Sequence, residues 1–373
     1  MKITDVVDRI NGNVDRFTTE LEYYIGGEHF ESNELEVTQK GLLKENLGKL
    51  GFKFHFAFQD RDVVFMARNP HLRKAGMVRF AGLCSDASYI LRSKDETVLS
   101  QEYLAVMLQS DHFWDYCESH KVGSVNFANN WSSIANYEFE LPTPEEQKEI
   151  SDKVWAAYRL KKSYKKLLAA TEEMVKSQFI EMFGTLDEPK VEVKKLIDVV
   201  LSSGQYGSNT SATDYQEGKP RYIRITDIND DGSLNDDIKT AEVIEDKYKL
   251  IPGDIVFART GATVGKTYMH ETGNAIYAGY LIKYQMDESK MKPAFMKAFT
   301  HSKTYYNWVA NSQKIGAQPN ISAAQYDKMP VLVPQIEKQE DFLTIYQQAD
   351  KSGFELRKSI DAIDAVIKSL INS

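Results

Sequence analysis

The chain repeats itself at a long interval. LPTPEEQKEI, from Leu141 to Ile150, returns 192 positions later as VPQIEKQEDF, from Val333 to Phe342. The offset sets Pro142 on Pro334, Glu145 on Glu337, Gln147 on Gln339 and Ile150 on Phe342, and without a gap it brings Lys176 onto Lys368 and Ser177 onto Ser369. It also carries Asp62-Val63-Val64-Phe65 onto Asp254-Ile255-Val256-Phe257 and Phe113-Trp114 onto Tyr305-Tyr306. With one further residue of offset, Lys2-Ile3 and Asp5-Val6-Val7 fall on Lys195-Leu196 and Asp198-Val199-Val200. A period of this length means a duplicated domain, not a stacked solenoid.

Each copy ends in a long helical pattern. In the first, Thr143 and Glu146 form a capping box, Pro144 takes the first helical position, and Gly184 stands where a left-handed C-cap is wanted. Ile150, Val154, Tyr164, Leu168 and Val175 recur at heptad-like spacing, with Ala157, Leu160, Leu167, Met174 and Met182 continuing the apolar pattern. The second seam runs Phe342, Ile345, Ala349, Leu356, Ile360, Ile363, Ile367, Leu370. It lacks a Ser/Thr cap, and Gly353 on the seam costs about 1 kcal/mol against Ala and invites a kink. Each seam is narrow and suits one partner helix, so the two are expected to pair with each other because neither small domain can bury one. The division expected is a globular segment 1–142, a helix 143–184, a second globular segment 185–334 and a helix 335–373.

The globular segments read as α+β with a mostly β core. KFHFAFQDRDVVFMARN predicts two strands joined by a turn at Gln59-Asp60-Arg61; ASYILR and YEFELP predict two more. Glu102 to His120 has the periodicity of one helix. In the second copy RYIRITDI, DIVFART, YLIKYQM and MPVLVP predict strands, and FMKAFTHSKTYYNWVAN one helix. No apolar run approaches the ~18 residues of a membrane span, and the N-terminus lacks the apolar stretch of a secretion signal. Cys84 and Cys117 have no CxxC partner, which suits a reduced, cytoplasmic protein. The net charge of −8 argues against a general nucleic-acid coat and leaves room for local basic patches.

The chemistry-bearing signals lie in loops. GATVGKT, from Gly261 to Thr267, resembles a phosphate-binding loop, but the first glycine of that motif would fall on Thr260. A strand-end loop whose glycines allow close backbone approach fits better, with Arg259, Thr260, Thr263 and Lys266 as donors for phosphates or base edges. The matching loop of the first copy, Ala67 to Gly76, carries Arg68, Asn69, Arg73 and Lys74 and no acid. A solvated charge run is the plain alternative; the recurrence of a basic loop after the same strand favours nucleic acid. A polar loop precedes each long helix: Lys121 to Asn130 in the first copy, Lys314 to Asn320 in the second, where Gln318 and Asn320 have side chains able to read adenine or simply to make turns. His112, Cys117 and His120 have loose ligand spacing on a predicted helix without a fourth ligand, so no metal site is expected. Asp236 and Asp237 ahead of Glu245-Asp246-Lys247 give a D…ExK pattern that is common by chance. No methyltransferase tetrapeptide, GxSxG or HExxH is present, and the chain does not look like an enzyme.

GDIVFARTGATVGK at Gly253–Lys266, IGAQPNIS at Ile315–Ser322 and the two proline-led helix starts, together with the repeat, resemble the specificity (S) subunit of type I restriction–modification systems. The resemblance covers nearly the whole chain. It implies two tandem target-recognition domains, each followed by a long helix, the helices pairing as an antiparallel coiled coil. It implies double-stranded DNA as ligand, two methyltransferase subunits as partners, restriction subunits as further ones, no cofactor and no active site of its own. The residues expected on DNA are then Arg68, Asn69, Arg73, Lys74, Arg224, Arg259, Thr260, Thr263, Lys266, Gln318 and Asn320, on a bipartite, non-palindromic site. The first copy departs from the pattern, with Phe-Met-Ala-Arg-Asn-Pro-His at 65–71 and no complete IGAQPNIS-like run. The alternative from another class is a coiled-coil scaffold or partner-binding protein without DNA specificity, to which the acidic net charge lends some weight.

Overall fold

The computed structural model of the protein describes residues 1–125, 127–312 and 319–372. The chain folds as two compact units. One comprises Met1–Leu167 with Leu356–Ser373, the other Leu168–Glu355. Each unit therefore holds one globular segment and a stretch of both long helices, Pro144–Phe183 and Ile336–Ile371. This is the α+β fold expected, with the two helices side by side and antiparallel in each unit.

In the first unit a five-stranded sheet has the order Val7–Ile10, Ser88–Ser93, Val63–Met66, Ala75–Val78, Glu36–Val37. A four-stranded sheet runs Gly41–Leu42, Tyr23–Ile25, Gly82–Ser85, Phe54–Phe58. The Asp60-Arg61 turn thus carries the chain from one sheet to the other. Val63 and Phe65 point into the main core with Leu104, Phe113 and Trp114, while Val64 and Met66 point into a second core with Ile25 and Phe58. A strand covered on both faces reads as a continuous apolar run, which is why VVFM shows no polar alternation.

The second unit repeats the central part. Its four-stranded sheet runs Gln205–Tyr206, Leu281–Tyr284, Ile255–Ala258, Thr267–Met269, flanked by three two-stranded pairs. Ile255 and Phe257 face one core, Val256 and Ala258 the other. Three expectations need correction. Glu102–His120 is two helices, Gln101–Met107 and Asp111–Ser119, because Ser110 caps the second by accepting from Phe113 N at 3.2 Å. The segment Phe295–Asn311 likewise spans Pro293–Thr300 and Lys303–Ser312, broken at Ser302, whose hydroxyl accepts from Tyr305 N at 3.3 Å. YEFELP forms no strand: its backbone meets Met1–Ile3 through Phe139 N to Met1 O (3.0 Å) and Ile3 N to Tyr137 O (2.9 Å), too little for a ladder.

The helix starts are built alike. Thr143 N donates to Glu146 Oε2 (2.8 Å) and Glu146 N to Thr143 Oγ1 (3.3 Å), the capping box expected. Gly184 ends the helix at φ +77°. Just inside each start a buried glutamine binds main chain. Gln147 donates to Val98 O (2.8 Å) and Pro142 O (2.9 Å) and accepts from Ser100 N (3.0 Å). Gln339 donates to Lys290 O (2.9 Å) and Pro334 O (2.8 Å) and accepts from Lys292 N (2.9 Å), every partner shifted by the same 192 positions.

Ile150, Val154, Ile363 and Ile367 join the main core of the first unit, and Val175 and Phe342 that of the second. Ile360 is buried; Tyr164, Leu168 and Leu356 are half-buried. The helix seams are thus continuous with the domain cores, against the expectation that the domains could not bury them. Leu160, Leu167 and Met174 are exposed and lie off the seam. The C-terminal helix runs unbroken through the buried Gly353. Where Gly353 stands in the second unit, the first has Lys161, buried between Glu34 Oε1 (2.9 Å) and Asp364 Oδ1 (2.7 Å), with Lys165 also on Glu34 at 3.0 Å. Burial pushes the Glu34 carboxyl up, but the Lys161 and Lys165 hydrogen bonds and charges outweigh it and hold it below its ordinary value. Burial likewise pushes Lys161 down, and Asp364 and Glu34 more than reverse it.

Candidate nucleic-acid interface

The basic loops start from the same strand in both units. The residue before it is a buried aspartate that pins the preceding turn: Asp62 Oδ2 accepts from Gln59 N (2.8 Å), Asp254 Oδ2 from Ile251 N (3.0 Å). Past the strand, three hydrogen bonds fix the loop, two of them to the polar segment that precedes the long helix. In the first unit Asn69 N donates to Phe127 O (2.8 Å), Asn129 N to Ala67 O (2.8 Å) and Met66 N to Lys74 O (2.9 Å). The first two join the loop to the polar segment; the third closes it. In the second, Gly261 N donates to Pro319 O (3.0 Å), Ile321 N to Arg259 O (2.8 Å) and Ala258 N to Lys266 O (2.8 Å). All six atoms of each set match at an offset of 192, so the frame is duplicated even where the sequence is not.

The frame needs left-handed backbone at three places. The second unit uses Gly253, Gly261 and Gly265, with φ of +92°, +72° and +88°. The first uses Arg61, Asn69 and Arg73 at the matching positions, with φ of +70°, +54° and +48°. Glycine adopts this region freely, and asparagine tolerates it better than arginine. The apparent loss of the glycine motif in the first copy is therefore a change of residue on an unchanged backbone. Gly261–Thr263 forms a single turn between antiparallel strands rather than the start of a helix, so this loop is not a nucleotide-triphosphate cradle.

The cations sit in different surroundings. Arg73 pairs with Asp111 at 2.5 Å, and Lys74 Nζ donates to Gly27 O at 2.7 Å. Arg224 is held by Asp227 (2.5 Å) and Asp237 (2.9 Å), Lys266 by Asp230 (2.8 Å) and Ile228 O (3.3 Å). Among the described residues no carboxylate pairs with Arg68 or Arg259. Arg68 is exposed and its backbone bridges Ala128; Thr260 bridges Asn320 in the same way. The Thr260 hydroxyl donates to Pro319 O and that of Thr263 to Thr260 O, both at 3.3 Å. Arg68, Asn69, Arg73 and Lys74 thus share one loop, and Arg259, Thr260, Thr263, Lys266 and Asn320 another. Arg224 stands on a separate turn, and Gln318 lies outside the described residues.

Two aromatic residues beside the second loop carry no motif in the sequence. Tyr206 lies under the Arg259 guanidinium, whose Cζ is 4.8 Å from the ring centroid. Tyr280 is largely exposed, and its carbonyl accepts from Arg259 N at 3.0 Å. The one clue to Tyr206 was its setting between Gly204 and Gly207; a Cβ on Gly207 would stand 2.4 Å from Ala278 O. The D…ExK pattern is not assembled, since Glu245 pairs with Lys247 (2.8 Å) and Asp237 with Arg224. His112 bonds the Tyr137 hydroxyl at 2.7 Å, Cys117 is buried, and His120 stacks on Tyr116.

A duplicated α+β unit with a helix after each copy and a fixed basic loop in each defines a class of two-headed binding scaffolds. Residues 188–363 match the family model of the type I restriction modification DNA specificity domain. No curated protein matches the chain by sequence. Among solved structures, the S subunit of a type I restriction–modification system from M. genitalium superimposes with a TM-score of 0.61 at 13% identity, covering 100% of this chain and 94% of that one. A chain from a study of complex assembly and conformational transition of the type I R-M system gives 0.57 at 15% identity, covering 100% and 95%. Residues 188–363 therefore carry the specificity domain of the type I restriction–modification family, and the chain along its length has the fold of the S subunits on which it superimposes. Among the described residues no helix is long and apolar enough to cross a membrane.

Proposed function

We propose that each unit of this subunit reads one half of a bipartite, non-palindromic DNA site, and that the chain delivers methyltransferase subunits, and restriction subunits with them, to that site without an active center of its own. The recognition segments are 1–142 and 185–334, and the helices 143–184 and 335–373 are the scaffold. The observation that carries the reading is the duplicated hydrogen-bonded frame, which presents a basic loop after the same strand in both units. The frame is common and the side chains on it are not, so the two half-sites differ. Arg68, Asn69, Arg73 and Lys74 would serve the first; Arg224, Arg259, Thr260, Thr263, Lys266, Gln318 and Asn320 the second. With a net charge of −8 the chain alone lacks the surface for counterion release, so tight binding requires the methyltransferase.

Methylome sequencing of cells carrying the subunit with a cognate methyltransferase tests this. A split, asymmetric motif is expected. A continuous or palindromic motif would overturn the two-headed reading. Modification without any sequence preference would favor a scaffold that does not read DNA.

A further inference from the structure

We infer that Arg259 reads a guanine in the half-site of the second unit, with Tyr206 as the residue that positions it; this rests on the DNA-reading function proposed above. The cations expected on DNA divide into those already engaged and those not. Arg73, Arg224 and Lys266 each face a carboxylate within 2.9 Å, and Lys74 is bound to a carbonyl. Arg68 and Arg259 face none among the described residues, and of the two it is Arg259 that lies against an aromatic ring. Its main chain is fixed on both sides, the N–H on Tyr280 O and the carbonyl on Ile321 N. Its guanidinium lies against the Tyr206 ring, and its Nε is buried without a hydrogen-bond partner among the described residues. Tyr206 is fixed in turn: it belongs to the strand paired with Leu281–Tyr284, and its hydroxyl accepts from Ala323 N at 3.1 Å.

A phosphate asks for charge and not for orientation. A planar fork held against an aromatic face is organised to make two parallel hydrogen bonds to one edge. A guanidinium only donates. In the major groove adenine sets a donor beside its acceptor, cytosine offers a donor, and thymine a single acceptor beside a methyl group. Guanine alone offers two acceptors, O6 and N7. At the matching position the first unit has Ala67 instead, with its N–H on Ala87 O at 2.9 Å as that of Arg259 is on Tyr280 O.

The test uses the full chain in complex with its methyltransferase, assayed on duplexes carrying each base in turn at every position of the wild-type motif. One half-site should contain a G·C pair whose replacement weakens wild-type binding roughly 5- to 150-fold. Arg259→Gln should abolish that preference and leave the base ranking in the other half-site unchanged. Tyr206→Leu, which keeps Arg259, should reduce the same preference, and Tyr206→Phe, which keeps the ring, should retain most of it. Equal weakening on every sequence by Arg259→Gln would make Arg259 a phosphate contact and overturn the inference. So would a motif without a G·C pair in the affected half, or an unchanged preference in Tyr206→Leu, which also serves if the Gln variant fails to fold. A wild-type complex with no base preference anywhere would instead overturn the underlying DNA-reading function.

Discussion

The two units hold the same frame with different materials. In the first, arginine and asparagine occupy the left-handed turns, and a buried lysine bridges Glu34 of the globular segment and Asp364 of the C-terminal helix. In the second, glycine occupies the turns, and four rings (Phe179, Phe183, Phe295 and Phe342) pack in the core, 5.1 to 6.0 Å apart. The comparison separates what the backbone requires from what the side chains supply. The frame tolerates either solution, but the two should fail under different stresses.

The largest effect is expected in the aromatic cluster. Phe342→Ala should destabilise the second unit by about 3–5 kcal/mol, read as a drop in denaturant midpoint. Lys161→Ala in the first should cost about 3 kcal/mol at most, because Lys165 still faces Glu34 while Asp364 is half-exposed. Lys161→Met with Glu34→Gln should recover most of that loss, since both charges then leave together; if the double variant is as weak as the single, charge is not what holds this site.

Acid should separate the units further. The carboxyl of Glu34 is lowered from 4.5 in the folded state, so its contribution is fully present above that value and is lost as the pH falls through the lowered one. Lys161 is raised from 10.5, so its contribution is present below that value and lost as the pH rises through the raised one. Amide exchange should show protection in the first unit falling with acid, and Glu34→Gln should remove that component of the pH dependence.

The smallest effects belong to the turns. Among the described residues Gly261 has nothing within 4 Å of where a Cβ would lie, so Gly261→Ala tests backbone strain and should cost about 1–2 kcal/mol. Asn69→Gly should change stability by only a few tenths in either direction, near the usual ±0.5 kcal/mol of a surface change. Equal losses in the two variants would mean that the turns are held differently.

The repeat, the helix limits and the strand after each aspartate were legible because they rest on local rules: spacing, a capping box, an apolar run. The breaks at Ser110 and Ser302 were not, since a serine cap inside an amphipathic stretch leaves the periodicity intact. The first basic loop was legible as charge and not as a frame. Its turns use Asn69 and Arg73, and only the backbone reveals that they replace Gly261 and Gly265. The stack of Arg259 on Tyr206 joins residues more than fifty positions apart, beyond any local pattern.

Among the described residues, Gln147 and Gln339 bind main-chain carbonyls and N–H groups alone. Such a coupling is blind to side-chain identity. It asks of the domain only that two carbonyls and one amide arrive at the right places. A recognition segment of wholly different composition could be plugged onto the same helix, and selection would be free to rewrite what is read while the socket stays as it is.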